Sequence, residues 1–217
     1  MSAILYYVAD PMCSWCWGFH PVLRKVKASL PADVRLRYVM GGLARDTDEP
    51  MPDEVRAYVQ NAWREVAART GATFNWDFWT RCRPRRSTYP ACRAVLCAAA
   101  QQEDAGPPCF EAVQRAYYQQ ARNPSDTDTL VALAGELGLD TARFAADLAS
   151  PEIDERLHAD FALRRRLGIR QFPSLVLEQG DLQTPITVGY DDAEPVLARL
   201  TLALNQAVGA TGGRPKV

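Results

Sequence analysis

Two cysteines separated by two residues, Cys13 and Cys16, stand where an apolar run gives way to a helical pattern, and no other feature restricts this chain's fold so tightly. Before them, Ala3-Ile4-Leu5-Tyr6-Tyr7-Val8 is rich in aromatic and branched residues and predicts a strand, which Pro11 ends. After them, Phe19, Val22, Leu23, Val26 and Leu30 recur at helical spacing. The pair therefore sits at a strand-to-helix junction, a setting suited to thiol redox chemistry.

A second strand is predicted at Val34-Arg35-Leu36-Arg37-Tyr38-Val39-Met40, where apolar and basic residues alternate before Gly41-Gly42. A connection of this length containing a helix joins parallel strands with a right-handed crossover. The chain has 217 residues, enough to bury a substantial core without disulfide staples. Its 25 basic and 26 acidic side chains leave a formal charge of -1, which argues against nucleic-acid or membrane-surface partners. No apolar stretch approaches the roughly 18 residues of a transmembrane span. The N-terminus enters its first strand with neither a basic n-region nor a small-residue cleavage site, so a cytoplasmic protein is expected. In that reducing setting the six cysteines read mostly as thiols.

From about residue 46 to 151 the composition shifts to alanine, charged residues and aromatics. Helix starts are signalled at Pro52-Asp53-Glu54, Tyr89-Pro90-Ala91, Gly106-Pro107-Pro108 and Asn123-Pro124-Ser125-Asp126. Ser125 or Asp126 is expected to cap one helix, Asp140 a short one, and Ser150-Pro151 to start another with Ile153, Leu157, Phe161 and Leu163 inward. That last helix carries a basic surface at Arg164-Arg165-Arg166 and ends at Gly168. Ser174-Leu175-Val176-Leu177 and Pro185-Ile186-Thr187-Val188 read as a hairpin, with Asp191 or Asp192 capping a final helix and a frayed tail from Gly209.

Thiol-disulfide exchange needs an accessible attacking thiolate and a second thiol near enough to release the mixed disulfide. At a helix N-terminus, free N–H groups and the positive dipole end favour a thiolate, which suits Cys13; Cys16, one turn in, is the resolving partner. Two other readings compete: a zinc half-site and inert thiols. Zinc would require two further ligands, and neither His20 nor His158 has a paired spacing. No metal site is expected.

The motif Asp10-Pro11-Met12-Cys13-Ser14-Trp15-Cys16-Trp17-Gly18-Phe19, the helical insertion, Gly135-Glu136-Leu137-Gly138-Leu139-Asp140 before Arg143-Phe144, and the stretch Gly168 to Val176 with Phe172-Pro173 together resemble the DsbA-like thioredoxin-fold family. Within it the chain is most similar to the cytoplasmic, FrnE-related branch of protein-disulfide isomerases. The resemblance implies an α/β thioredoxin-like fold with a large all-helical insertion. Residues 1-45 and 152-210 would form a discontinuous thioredoxin-like domain, 46-151 the inserted helical subdomain and 211-217 a flexible tail. It also implies a cis Phe172-Pro173 bond beside the cysteines, with Pro173 shaping the substrate loop, and it likens Pro21 to the kink proline of active-site helices. Two departures stand out. Ser14-Trp15 replaces the Pro-His dipeptide of periplasmic DsbA, so a strongly oxidising potential is not implied, and the bulky Phe172 would narrow the substrate groove.

The expected activity is thiol-disulfide exchange, with Cys13 and Cys16 catalytic and Ser14, Trp15, Phe172 and Pro173 on the substrate side. Trp15 is expected to form an exposed apolar lip, whereas Trp17 reads as core. Substrates would be protein or small-molecule disulfides, with glutathione or a thioredoxin system as redox partner, no bound cofactor, and a monomeric chain. His20, four residues after Cys16, reads as structural, its alternative role being to tune or protonate a leaving thiol, and the basic run Arg81, Arg83, Arg85 and Arg86 reads as a solvated loop, its alternative role being to hold an acidic substrate group. Cys82, Cys92, Cys97 and Cys109 read as small packing residues. Two rival functions remain: a kappa-class glutathione transferase or hydroxychromene-carboxylate isomerase, whose members usually carry serine at the first motif position, and a peptide-binding module with incidental redox activity.

Overall fold

A computed structural model describes the backbone of residues 3–211 and the side chains of residues 3–206. β1 (Ala3–Ala9) leads into α1 (Ser14–Gly18) and α2 (His20–Ser29), which break at Phe19 just before Pro21, and the chain returns as β2 (Val34–Met40). Six helices follow: α3 (Asp53–Thr70), α4 (Phe78–Arg81), α5 (Tyr89–Gln101), α6 (Gly106–Tyr118), α7 (Thr127–Glu136) and α8 (Thr141–Leu148). Then come α9 (Pro151–Arg166), β3 (Ser174–Gln179), β4 (Leu182–Val188) and α10 (Ala193–Thr211).

The strands form one mixed sheet in the order β2-β1-β3-β4. β1 pairs parallel with β2 and antiparallel with β3, and β3 pairs antiparallel with β4. Central β1 is an almost unbroken apolar run because both of its faces are covered; Leu5, Val8 and Ala9 are fully buried. β2 lies at an edge and alternates, with Arg35 and Arg37 outward. β4 is the other edge, the place where a sheet tolerates Pro185. A β-α-β unit followed by a β-hairpin and a helix, with helices between the two halves, is the thioredoxin-like α/β fold implied by the resemblance.

Gly18 at the end of α1 brings the helical segment against the cysteine motif. A Cβ there would stand 2.8 Å from Val66 Cγ1, so α3 packs directly on α1 only because glycine leaves the space.

Several local expectations change in the structure. Asp140 and Ser150 do cap α8 and α9, accepting from the N–H of Arg143 (3.0 Å) and Ile153 (3.3 Å). Neither Ser125 nor Asp126 caps α7 through its side chain: the Ser125 hydroxyl donates to Ser87 O and the Asp126 carboxylate takes Arg85. Both groups are held by partners elsewhere in the fold. Asp192 stands at the N-cap of α10, its carbonyl accepting the Val196 N–H at 3.3 Å, while the carboxylates of Asp191 and Asp192 pair with Arg199 and Arg69, each at 2.6 Å. Arg164 is not part of a free basic surface, because it donates to Gly41 O and covers the rings of Phe161 and Phe172. α10 runs past Gly209 to Thr211, and the tail expected from there lies, at residues 212–217, outside the described residues.

Candidate functional site

Where β1 ends, the Asp10 carboxylate accepts the N–H of Met12 at 2.8 Å and the Asp10 carbonyl accepts that of Cys13 at 3.0 Å. This turn places Cys13 at the N-cap of α1, with φ −85° and ψ 115°, and its own carbonyl accepts Trp17 N–H at 3.1 Å. Both thiols are free. Cys13 is 7 % exposed and Cys16 1 %. Burial pushes the Cys16 thiol well above its ordinary value, its hydrogen bond with Cys13 and that neighbour's charge add to the rise, and the Asp10 N–H opposes it.

The second half of the site arrives about 160 residues later in the chain. Gly168 stops α9 with a positive φ of 70°, buried Ile169 anchors the loop, and the Phe172-Pro173 bond is cis. The Cys13 thiol donates to the Phe172 carbonyl at an Sγ···O distance of 3.8 Å, so the motif and the proline loop meet at the sulfur. Ser174 steadies the loop: its hydroxyl donates to Gln171 O and accepts Gly189 N–H. The Phe172 ring lies against Gly41, where a Cβ would stand 2.6 Å from it, and under Arg164, rather than standing free in the groove.

Asp10, part of the cysteine motif with no role evident from the sequence, belongs to the site as well. It is fully buried. Besides Met12, it accepts Leu43 N–H at 2.8 Å, the Thr88 hydroxyl at 2.7 Å and the Cys92 thiol at 3.6 Å. One carboxylate thus ties the end of β1 to the loop after β2 and to the start of α5. Burial raises its pKa, while the N–H and O–H donors act against that rise. An aspartate directly before a proline at a strand end was the available signal, but its partners lie 33 and 78 residues away.

Above the cysteines opens a cleft of about 1180 Å³. Met12, Cys13, Ser14 and Trp15 form part of its floor, Phe172 and Tyr190 one side, and α3 residues including Tyr58 and Trp63 the opposite side. Trp15 is half-buried against Tyr190, with ring centroids 5.5 Å apart, so it is a packed part of that floor rather than a free lip. Trp17 points elsewhere: it stacks on Tyr118 and donates to Thr73 O. His20 lies beside Trp17 outside the cleft, and burial lowers its imidazole's pKa.

The basic run divides. Arg81 reaches Asp77 and Arg85 reaches Asp126, whereas Arg86 lines the cleft. The remaining cysteines do not line it. Cys92, Cys97 and Cys109 are buried, and burial pushes the thiols of the last two up to about 12. Cys82 is half-buried and donates to Ala121 O. Among the described residues no cluster of histidine, cysteine or carboxylate side chains is arranged to hold a metal ion, and no helix is long and apolar enough to cross a membrane.

The chain matches the profile of the family described as Thioredoxin over residues 6–187. Among solved structures it is similar to a candidate protein disulfide isomerase from Nitrosomonas europaea, with 32% identity and a TM-score of 0.85, covering 95% of this chain and 99% of that one. It is also similar to the cytosolic disulfide reductase DsbM from Pseudomonas aeruginosa, with 26% identity, a TM-score of 0.73, and coverage of 94% and 99%. DsbM has been solved with GSH as well. Among curated proteins, the ClpXP adapter protein SpxH of Bacillus subtilis (strain 168) is 25% identical over 199 residues, which are 89% of this chain and 66% of SpxH. The chain spans less than two thirds of the length of the curated relatives it matches.

Proposed function

The chain belongs to the thioredoxin family and has the fold of the DsbA-like disulfide oxidoreductases, and from that premise we propose that it exchanges thiols and disulfides through Cys13 and Cys16. The observation that carries the reading is the convergence at one sulfur. Cys13 caps α1 on the cleft floor and lies 3.8 Å from the carbonyl of Phe172, while Cys16 waits one turn below.

The roles follow from exposure. Cys13 faces the cleft, and its thiolate attacks one sulfur of a substrate disulfide, forming a Cys13–substrate disulfide and releasing the other sulfur as a thiolate, which takes up a proton. Cys16 is deeper and its thiol is pushed up by burial, so it is a poor first attacker. Once deprotonated, it attacks the Cys13 sulfur, releases the second substrate thiolate and closes the Cys13–Cys16 disulfide. Two electrons have then moved from the dithiol to the substrate. Two molecules of glutathione would return them, leaving oxidised glutathione and the dithiol; the DsbM–GSH structure supports this choice of reductant. Substrates would meet Ser14, Trp15 and Phe172 along the cleft, with buried Pro173 shaping the loop that carries Phe172. A cytoplasmic setting and a place in the FrnE-related branch belong to the same proposal, the first supported by the likeness to DsbM, described as cytosolic.

The test is the reduction potential of the pair in a glutathione series, with the Cys13→Ser and Cys16→Ser variants alongside. The expectation is one reversible two-electron couple, loss of exchange in Cys13→Ser, and a trapped mixed disulfide in Cys16→Ser. Absence of a reversible couple would overturn the reading, and glutathione-dependent isomerisation surviving Cys13→Ser would favour the isomerase alternative. The SpxH likeness favours a second reading, a protein adapter in which redox is incidental. Undiminished client binding by a Cys13→Ala, Cys16→Ala double variant would support it.

A further inference from the structure

Three large apolar side chains on the rim of the cleft are exposed: Leu43 at 38%, Tyr58 at 67% and Val188 at 52%. They come from the loop after β2, from α3 and from the end of β4. They are half of the six large apolar side chains that are exposed among the described residues. Single exposed apolar groups are ordinary, whereas several around one concavity mark a binding surface.

The charges along the same cleft are unbalanced. Arg69 is neutralised by Asp192 at 2.6 Å, but Arg86 and Arg170 enter no ion pair among the described residues, and Glu65 is the one carboxylate side chain that lines the cleft. Both free cations are on fixed backbone. Next to Arg86, Arg85 is clamped by Asp126 and the Ser125 carbonyl, and on the other side Ser87 and Thr88 are buried in the hydrogen bonds around Asp10 and Ser125. Arg170 stands between buried Ile169 and Phe172, on the loop whose carbonyl faces Cys13. At about 1180 Å³, the cleft exceeds the ~300–1,000 Å³ of ordinary small-molecule pockets and has room for several residues of an extended chain.

We propose that this cleft selects an extended polypeptide segment whose reacting cysteine is flanked by acidic and apolar residues, with Arg86 and Arg170 taking the carboxylates and Leu43, Tyr58 and Val188 the apolar side chains. The proposal rests on Cys13 being the exchanging thiol, and it adds what that thiol meets. Partly exposed charge contacts are individually weak, so the selectivity comes from two attractions with an acidic flank and two repulsions with a basic one.

The experiment uses one cysteine peptide, presented as its mixed disulfide with mercaptoethanol, with aspartate, asparagine or lysine on both sides of the cysteine. The expected order of kcat/KM is aspartate, asparagine, lysine, with about tenfold between the extremes at low salt and a smaller ratio at high salt. In an Arg86→Gln, Arg170→Gln double variant the ratio falls to within about twofold. Equal rates for the three peptides, or an unchanged ratio in the double variant, would overturn the proposal. Oxidised glutathione carries carboxylates without apolar flanks; turnover as fast as that of the aspartate peptide would also overturn it. Hydroxyethyl disulfide, small and neutral, reports on the exchange reaction by itself, so failure there falls on the proposed activity. Affinities of the same peptides with serine replacing cysteine, read by calorimetry, must follow the same charge order whether or not turnover is seen.

Discussion

Beneath the cysteines, a single buried carboxylate, Asp10, gathers two backbone N–H groups, a hydroxyl and a thiol. Across the cleft, the fully buried Trp63 of α3 is surrounded by six aromatic rings, those of Phe74, Trp76, Phe78, Trp79, Tyr117 and Tyr118, at centroid distances of 4.9 to 5.9 Å. Its indole N–H has no hydrogen-bond partner among the described residues. The floor is thus positioned by directional bonds and the wall by packing area. A thiol that must meet a carbonyl at one distance needs the first kind of support. A wall that has only to keep its shape can rest on the second.

The largest effect should come from breaking the wall. Trp63→Ala removes a fully buried indole from the centre of the ring cluster and should cost about 3–5 kcal/mol in denaturant unfolding, the usual range for such truncations. A loss below about 1 kcal/mol would mean that the surrounding rings collapse into the space, and that packing on Trp63 does not hold α3.

Breaking the floor should cost less stability and more function. Asp10→Ala strips the acceptor from the buried Met12 N–H and Thr88 hydroxyl and from the partly buried Leu43 N–H, while also relieving the burial of a carboxylate. Stranded donors cost about 1–3 kcal/mol each, and the relief offsets part of that, so the net loss should be about 2–3 kcal/mol. Exchange by Cys13 should slow as its turn loosens, and the Leu43 amide should lose protection from hydrogen exchange. Asp10→Asn keeps one oxygen and should fall between wild type and alanine. If Asp10→Ala leaves both the exchange rate and Leu43 protection unchanged, the floor does not depend on this carboxylate.

The two regions also differ in what the sequence discloses. The β1 run, the Cys13–Cys16 spacing, and the Gly168 and Pro173 punctuation are local signals, because each depends on backbone preferences of a few adjacent residues. Asp140 and Ser150 cap their helices where local rules place a cap, since nothing nearer competes for their oxygens. Asp126 occupies an equivalent position, yet its carboxylate goes to Arg85, 41 residues earlier. Within the run Arg81 to Arg86 nothing in the sequence separates the arginine that lines the cleft from its neighbour bound to Asp126. Only the packing of α5 and α7 around that loop does. Trp63 likewise reads as one apolar position on an amphipathic helix, and its six ring partners come from segments 11 to 55 residues further on.

The smallest step is set by pH, about 1.4 kcal/mol for each unit, and it tells the two kinds of support apart. Asp160 on α9 is 5% exposed; it accepts Met40 N–H at 2.9 Å and lies 3.6 Å from Arg37, holding the end of β2 that leads into the Leu43 loop. Burial raises its carboxyl to about 6, with the Met40 and Arg37 contacts acting against the rise. In the unfolded chain an aspartate titrates near about 3.9. Between about pH 4 and 6 the folded state therefore binds more protons than the unfolded one, and stability falls as pH rises through that window, then levels above it. Over the whole window the fall from this group should be about 3 kcal/mol, or about 1.4 kcal/mol for each unit of pH. Asp160→Asn keeps an oxygen for Met40 N–H and removes the titration, so its unfolding free energy should be flatter from pH 4 to 7. Trp63→Ala changes no proton binding, so it should lower the whole profile and leave its slope intact. An Asp160→Asn profile parallel to wild type would show that burial does not perturb this carboxyl, and with it would go the claim that the polar support of the floor carries a proton-linked cost absent from the aromatic wall.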